Sequence, residues 1–308
     1  MISSTRQYRR ASLPAWRSLF FVPVTNDKFV DTAHTRGADA FILDLEDSIA
    51  VARKAEARER LAAATEKVGR GGADVLVRIN RPWRMAMRDL EAAVSPRVRA
   101  LVLPKVENAH HIRVVSEIVA ELEADRGMVP GSTGLVALVE TAEAFPRMEE
   151  IAYADPRLLA MSLGSEDFSA ACGMVPGHDG LYVPKMHMLV LARAAGILPL
   201  GFIGTVADYQ DLDGLRTAVK RARQLGFMAT TCIHPAQIPI VNEAYGPSAD
   251  EVAHARRVLE AAAEAERDGL GAYSVDGKMI DFPIVERSRG ILARYDAIER
   301  LSQRARRA

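Results

Sequence analysis

The 308-residue chain reads as an α/β protein, a (β/α)8 barrel with a C-terminal helical extension. Three observations predict it. Short, continuous apolar runs recur along the chain, as in strands buried on both faces of a parallel sheet. Each is followed by an amphipathic stretch of the kind that parallel neighbours need as a crossover. Eight such units fit in about 230 residues, and no Gly-x-Gly-x-x-Gly fingerprint opens the first crossover, which disfavours an open doubly wound sheet.

Taken in order, the strands fall at 18–24, 40–44, 74–79, 100–104, 134–139, 158–163, 199–204 and 228–233. The last has two threonines and little apolar bulk. Between the fourth and fifth, Ile112, Val115, Ile118, Val119 and Leu122 share one helical face, with Asn108 as the expected cap. Leu212, Leu215, Val219 and Ala222 do the same before Gly226. Ahead of the first strand stand Arg6, Arg9, Arg10 and Arg17, with no acid before Asp27, so 1–17 reads as a mobile basic arm. The barrel occupies 18–246. In the extension, 247–308, Ser248 and Glu251 form a capping box that opens a long helix to about Asp268. A turn at 268–271, the segment 273–283 and a last helix over 284–298 follow.

Composition excludes several function classes. Lys+Arg and Asp+Glu both number 40, and this zero net charge argues against bulk nucleic-acid binding. No apolar run approaches the roughly 20 residues of a membrane helix. Two cysteines, Cys172 and Cys232, cannot build a disulfide framework and read as reduced thiols of a cytoplasmic protein.

Barrel enzymes act at the carboxyl ends of their strands, and charged or ionisable residues collect at that end here. Strand two runs into Asp44-Leu45-Glu46-Asp47, strand three into Arg78-Ile79-Asn80 and strand four into Pro104-Lys105-Val106-Glu107. Strand five is followed by Glu140-Thr141, strand six by Gly164-Ser165-Glu166-Asp167 and strand eight by His234-Pro235. Glu140 and Asp167 come from consecutive strands. Two such carboxylates, with room for water and substrate oxygens, suit Mg²⁺. Equally, each carboxylate suits a cap on its following helix. Arg78 in the mouth suits a substrate carboxylate or a developing oxyanion, or a structural ion pair with Glu46 or Asp47. The turn Gly164-Ser165-Glu166-Asp167 can offer backbone N–H groups to an anion. Lys105 is expected to pair with Glu107, and His110 and His111 to lie on the surface.

Several segments are more specific. They are RSLFFVPVTNDKF from Arg17, DLEDSI from Asp44, VRIN from Val77, LPKVEN from Leu103 and ALVET from Ala137. GSEDFS from Gly164, CIHPAQIPIVN from Cys232 and DGKMIDFP from Asp276 complete the set. In this order, over nearly the whole chain, they resemble the citrate lyase β-subunit-like (CitE-like) branch of the HpcH/HpaI aldolase superfamily, with its malyl-CoA and citramalyl-CoA lyases. The resemblance implies a Mg²⁺-dependent carbon–carbon lyase of the retro-Claisen or aldol type on a TIM-type barrel, forming a homotrimer or hexamer. Its ligands would be a 2-oxo acid and an acyl-CoA thioester.

By the same resemblance Glu140 and Asp167 match the metal carboxylates and Arg78 the substrate-binding arginine. The turn Gly164, Ser165, Glu166 and Asp167 falls on the substrate side. Glu46 and Asp47 match acids that support the metal-bound waters and the arginine. Asp281 matches an acidic residue placed near the site by the extension, often from a neighbouring subunit, and is the candidate base for the hydroxyl or α-proton. The chain departs from the pattern at Val24, where glycine is usual, at Met228-Ala229-Thr230-Thr231 before the IHP segment, and in the less acidic stretch Phe168–Met174. These departures touch the thioester end of the substrate. A citrate lyase β-type subunit acting on an acyl-carrier-protein thioester within a complex, a CoA-independent 2-keto acid aldolase and a catalytically silent scaffold are the alternatives.

Overall fold

In the computed structural model, residues 13–269 and 273–307 are described. Arg6, Arg9 and Arg10 of the expected arm, and Leu270 and Gly271 of the expected turn, lie outside them. The chain divides into two compact units, one reaching Tyr245 and the second covering Gly246–Arg304.

The first unit alternates strand and helix throughout. Its strands are β1 (Ser18–Pro23), β2 (Ala40–Asp44), β3 (Asp74–Arg78), β4 (Ala100–Leu103), β5 (Gly134–Val139), β6 (Leu158–Leu163), β7 (Leu198–Leu200) and β8 (Thr230–Cys232). Its helices are α1 (Asp27–Ala33), α2 (Lys54–Gly69), α3 (Trp83–Ala93), α4 (Ala109–Asp125), α5 (Met148–Ala152), α6 (Ser165–Ala171), α7 (His178–Ala195), α8 (Leu212–Leu225) and α9 (Gln237–Tyr245). The strands form one parallel sheet in the order β7-β6-β5-β4-β3-β2-β1-β8. A single bridge between Leu200 and Ala229 closes the ring. The eight-stranded barrel is therefore as the apolar runs predict. All five residues of β2 and all six of β5 are buried, because helices cover the outside and side chains fill the inside.

Alternation along each strand sorts the core into two sets. Leu19, Ala40, Ile42, Leu76, Ala100, Val102, Val136, Leu138, Ala160, Leu198 and Leu200 form the cluster inside the barrel. Their neighbours, among them Phe41, Leu43, Val75, Val77, Leu101, Val139 and Leu163, pack outward against the helices. Asn108 caps α4 by accepting from the His111 N–H at 3.0 Å, and the left-handed Gly226 ends α8, both as expected.

Three expectations for this unit need correction. β7 is shorter than 199–204 because Gly201 and Gly204 adopt φ of 128° and 144°, which breaks strand geometry. β8 is shorter than 228–233 because Gln237 Oε1 accepts from the Ile233 and His234 N–H groups at 2.9 and 3.1 Å, taking them out of the ladder. The end of the expected mobile arm is anchored: Trp16 is fully buried in the interior cluster and donates to Asp74 at 2.8 Å. Beside it, the Arg17 guanidinium forks onto both oxygens of Asp39 at 2.7 and 2.8 Å.

The second unit comprises α10 (Ala249–Arg267), the antiparallel strands β9 (Tyr273–Val275) and β10 (Lys278–Ile280), and α11 (Phe282–Arg307) up to Arg304. Both halves of the Ser248–Glu251 capping box are formed. Asp276 and Gly277, with φ of 50° and 74°, make the two-residue turn between the strands. The last helix is longer than 284–298. Pro283 lies in its first turn, where a missing N–H costs nothing, and the Arg-, Glu-, Gln- and Ala-rich end favours helix. Val258, Val275, Ile280 and Val285 form this unit's own small core.

Trp16 closes the amino-terminal end of the barrel interior with the largest fully buried side chain of the fold. Trp16→Ala should lower unfolding free energy by about 3–5 kcal/mol in a urea or guanidinium titration. A loss below about 1 kcal/mol would show that the plug is not part of the cooperative core.

Candidate active site

Inward parity continues past the apolar part of three strands and there delivers charge. Ala40 and Ile42 are followed on the same face by Asp44, Leu76 by Arg78, and Val136 and Leu138 by Glu140. Asp44 and Arg78 are register partners across β2 and β3. Arg78 donates from Nε and Nη2 to the two Asp44 oxygens at 2.7 and 2.8 Å. Its Nη1 lies 2.9 Å from Glu46 Oε2 and 3.7 Å from Asp47, and its guanidinium stacks over the Phe21 ring at 4.7 Å. Burial opposes charge on both partners, but their fork bond outweighs it. Asp44, which also accepts from the Glu46 and Ser48 N–H groups, is held below the ordinary carboxylate value, and Arg78 is raised.

Glu140 is 6% exposed. Burial pushes its carboxyl up to about 7; the Lys105 N–H opposes this, and the charges of Asp167 and Glu46 add to it. That N–H donates to Glu140 Oε2 at 2.8 Å. Gly164 closes the other side: a Cβ there would lie 2.6 Å from Glu140 Cγ and 2.8 Å from Oε1. Lys105 has φ of 49°. Its ammonium reaches Glu46 at 3.0 Å, Asp167 at 3.8 Å and Asp47 at 3.9 Å. Arg78, Glu46, Asp47, Glu140, Gly164 and Asp167 are thus brought into one cluster with Lys105 among them.

The capping alternative for the two carboxylates does not hold. Gly164 is the N-cap of α6 and supplies no side-chain cap, and Asp167 sits within the first turn. Glu140 accepts from a neighbouring strand's loop. Ser165 and Glu166 turn toward the segment after β7. The Ser165 hydroxyl donates to Gly204 O at 2.6 Å, and Thr205 donates to Glu166. Asp281 stands exposed in the second unit before α11, its Oδ1 3.4 Å from the Ile284 N–H.

Two further expectations are overturned. Lys105 pairs with Glu46 rather than Glu107, because its left-handed backbone sends the side chain toward the β2–α2 loop; Glu107 meets Arg81 at 2.9 Å. His111 is buried against Trp83 at 5.0 Å, and burial, with Arg81 nearby, holds it down at about 4. His110 is exposed.

Sequence reasoning placed Asp44 at the strand end but gave it no role, which strand parity could have supplied, and it missed Lys185 on α7. The Lys185 amine is buried and donates to Ser165 Oγ at 2.7 Å, and burial lowers it to about 7. It pins the β6–α6 turn that carries Asp167.

The donor set fits a hard divalent cation. Glu140 is buried while Asp167 beside it is half-exposed, and a positive ion between them would offset both the burial and the added repulsion that raise Glu140. Among the described residues no three His, Cys, Asp or Glu side chains form a complete cage. A site with two protein oxygens, completed by water and substrate, is the pattern of magnesium rather than zinc or calcium.

Comparison with known proteins shows the family of the chain. The family model HpcH/HpaI aldolase/citrate lyase matches residues 17–235. The citrate lyase subunit beta of Escherichia coli is 35% identical over 301 residues, covering 96% of this chain and 98% of the relative. A (3S)-malyl-CoA thioesterase of Cereibacter sphaeroides is 35% identical over 288 residues, covering 92% and 95%. The solved structure of CitE from Mycobacterium tuberculosis, in complex with magnesium, acetoacetate and coenzyme A, superposes with a TM-score of 0.70. It is 32% identical and covers 93% of this chain and 99% of its own.

Two predictions follow from Glu140 and its glycine neighbour. A carboxyl raised to about 7 is protonated in the folded protein but ionised in the unfolded chain between about pH 4.5 and 7. Its burial therefore costs stability increasingly as pH rises through that window, to a limit on the order of 3 kcal/mol. In chelator, Glu140→Gln should raise the melting temperature at about pH 8 and change it little at about pH 4; equal effects at both would refute the assignment. Gly164→Ala should displace the carboxylate and weaken divalent-cation binding by about tenfold or more, read by isothermal titration.

Proposed function

This chain belongs to the HpcH/HpaI aldolase/citrate lyase family, and on that footing we propose that it is a magnesium-dependent carbon–carbon lyase. Its substrate in this reading is a β-hydroxyacyl-CoA such as malyl-CoA or citramalyl-CoA, cleaved or formed with a 2-oxo acid as one fragment. The observation that carries the proposal is the ionisable pair Glu140 and Asp167 in the barrel mouth, with Arg78 and Lys105 as their cationic neighbours. The magnesium, acetoacetate and coenzyme A bound by the Mycobacterium tuberculosis relative support it.

Glu140 and Asp167 would hold the ion. Bound there, magnesium supplies Lewis-acid polarisation of oxo-acid oxygens. The chain's own groups do the rest. Arg78 has five N–H donors, of which Asp44 takes two and the acids of the β2–α2 loop face Nη1. The remaining capacity is for a substrate oxygen that gains charge as the carbon–carbon bond breaks. Asp44, Phe21 and the acids hold the fork in one orientation, so it need not reorganise during reaction. Asp281, carried by the second unit, is the proposed base: in cleavage it takes the hydroxyl proton and delivers it to the α-carbon of the enolate left on the thioester, and in the reverse direction it takes the thioester α-proton and delivers it to the new alkoxide. The same proposal takes the chain as a cytoplasmic homo-oligomer, a trimer or hexamer; its two free cysteines are in keeping with reducing surroundings. No helix among the described residues is long and apolar enough to cross a membrane.

A second reading, a citrate lyase β-type subunit acting on a carrier-protein thioester within a complex, is supported by the likeness to the Escherichia coli subunit. Assay of malyl-, citramalyl- and citryl-CoA, with trapping of the released oxo acid, separates the two. Turnover of a free CoA ester that vanishes in EDTA and returns with Mg²⁺ is the expected result. Asp281→Asn should keep substrate binding while lowering turnover about 10²-fold or more; metal-independent turnover would end the proposal.

A further inference from the structure

Lys105 is one of two non-glycine residues with positive φ among the described residues. The other, Asp276, occupies a hairpin turn that calls for such a conformation. Lys105 has no such excuse. It follows Pro104 at the end of β4, in a conformation that favours glycine or asparagine, and it persists only if the surroundings hold it there. Two contacts do. The backbone N–H is fixed on Glu140 Oε2 at 2.8 Å, and the ammonium is fixed among Glu46, Asp47 and Asp167. Glycine would relieve the backbone and keep the first contact. Only a long cationic side chain makes the second.

The charges around the ammonium show what it does. Arg78 is engaged by Asp44 and the β2–α2 acids, and the Lys54 amine donates to the Leu45 and Glu46 carbonyls. Among the described residues, Lys105 is the cation that reaches both the β2–α2 acids and the carboxylate on α6. It lies at a distance from Asp167 where an opposite charge is felt strongly even at the partly wet rim of a barrel.

We propose that Lys105 is a positioning residue with two separable actions: its backbone N–H orients the Glu140 carboxylate, and its ammonium competes with a divalent cation for Asp167, so that it sets the site's cation affinity. The inference rests on the reading of Glu140 and Asp167 as the cation's carboxylates. When a cation takes Asp167, the ammonium retains Glu46 and Asp47 as partners, so the exchange leaves no buried charge unpaired.

The test is a Mn²⁺ titration of the whole protein at about pH 8.5, below the ordinary lysine value, free Mn²⁺ being followed by electron paramagnetic resonance. Lys105→Met and Lys105→Gly should both bind Mn²⁺ about tenfold more tightly than the parent, since each removes the competing charge. Lys105→Arg should stay within about threefold of the parent. The glycine variant relieves the backbone and keeps the N–H, which guards against a methionine variant that folds poorly. A lysine that only supported the loop would give weaker binding in the methionine variant, and that result, or parental affinity in both neutral variants, overturns the proposal. Failure of the parent and of all three variants to bind Mn²⁺ would instead overturn the assignment of the two carboxylates.

Discussion

The site depends on a single constraint: a carboxylate, Glu140, placed where water scarcely reaches it. Its position follows from strand parity, since the residue two beyond Leu138 must face the interior of the ring. Its surroundings answer the resulting cost. The Lys105 N–H is turned onto one oxygen by a strained dihedral, and Gly164 yields the volume that any other residue would fill. Asp167 alongside increases the electrostatic tension instead of relieving it. A fold that maximised stability alone would place an apolar residue here.

The arginine side of the mouth solves a different problem. Arg78 is kept charged by its register partner Asp44, and the pair is itself braced by the Glu46 and Ser48 N–H groups. Glu46 sits between Arg78 and Lys105 and links the two cations. Burial raises Glu46 against the pull of both. Three adjacent strand ends thereby present alternating charges as one rigid row, and each side chain is oriented by the next. Lys185 performs the matching task on the far side by holding Ser165 and so the turn before Asp167.

Much of this was legible in the sequence. Continuous apolar runs mark β2 and β5 to the residue because both faces of those strands are buried. The sorting of charges to one end of the strands put Arg78, Glu46, Asp47, Glu140 and Asp167 on the same rim, and the family resemblance alone assigned them roles. What sequence could not show was who pairs with whom. Lys105 meets Glu46 and not Glu107 because of one backbone angle, and no pattern of residue types encodes it. The early ends of β7 and β8 came from glycine dihedrals and a glutamine side chain, again invisible to hydropathy. Asp44 was within reach of the parity argument, whereas Lys185, on a helix and buried against expectation for its type, was not.

The uneven stitching of the ring has a consequence of its own. β1 shares a register of five residue pairs with β2, whereas β7 and β8 meet through the lone Leu200–Ala229 bridge, helped by two flanking amide bonds from Gly201 and Met228. Breathing of the cylinder should therefore begin at that seam, unzipping there while the opposite wall stays shut. Fresh chain ends introduced by circular permutation would be tolerated best beside it, because the join that they weaken is already the slackest.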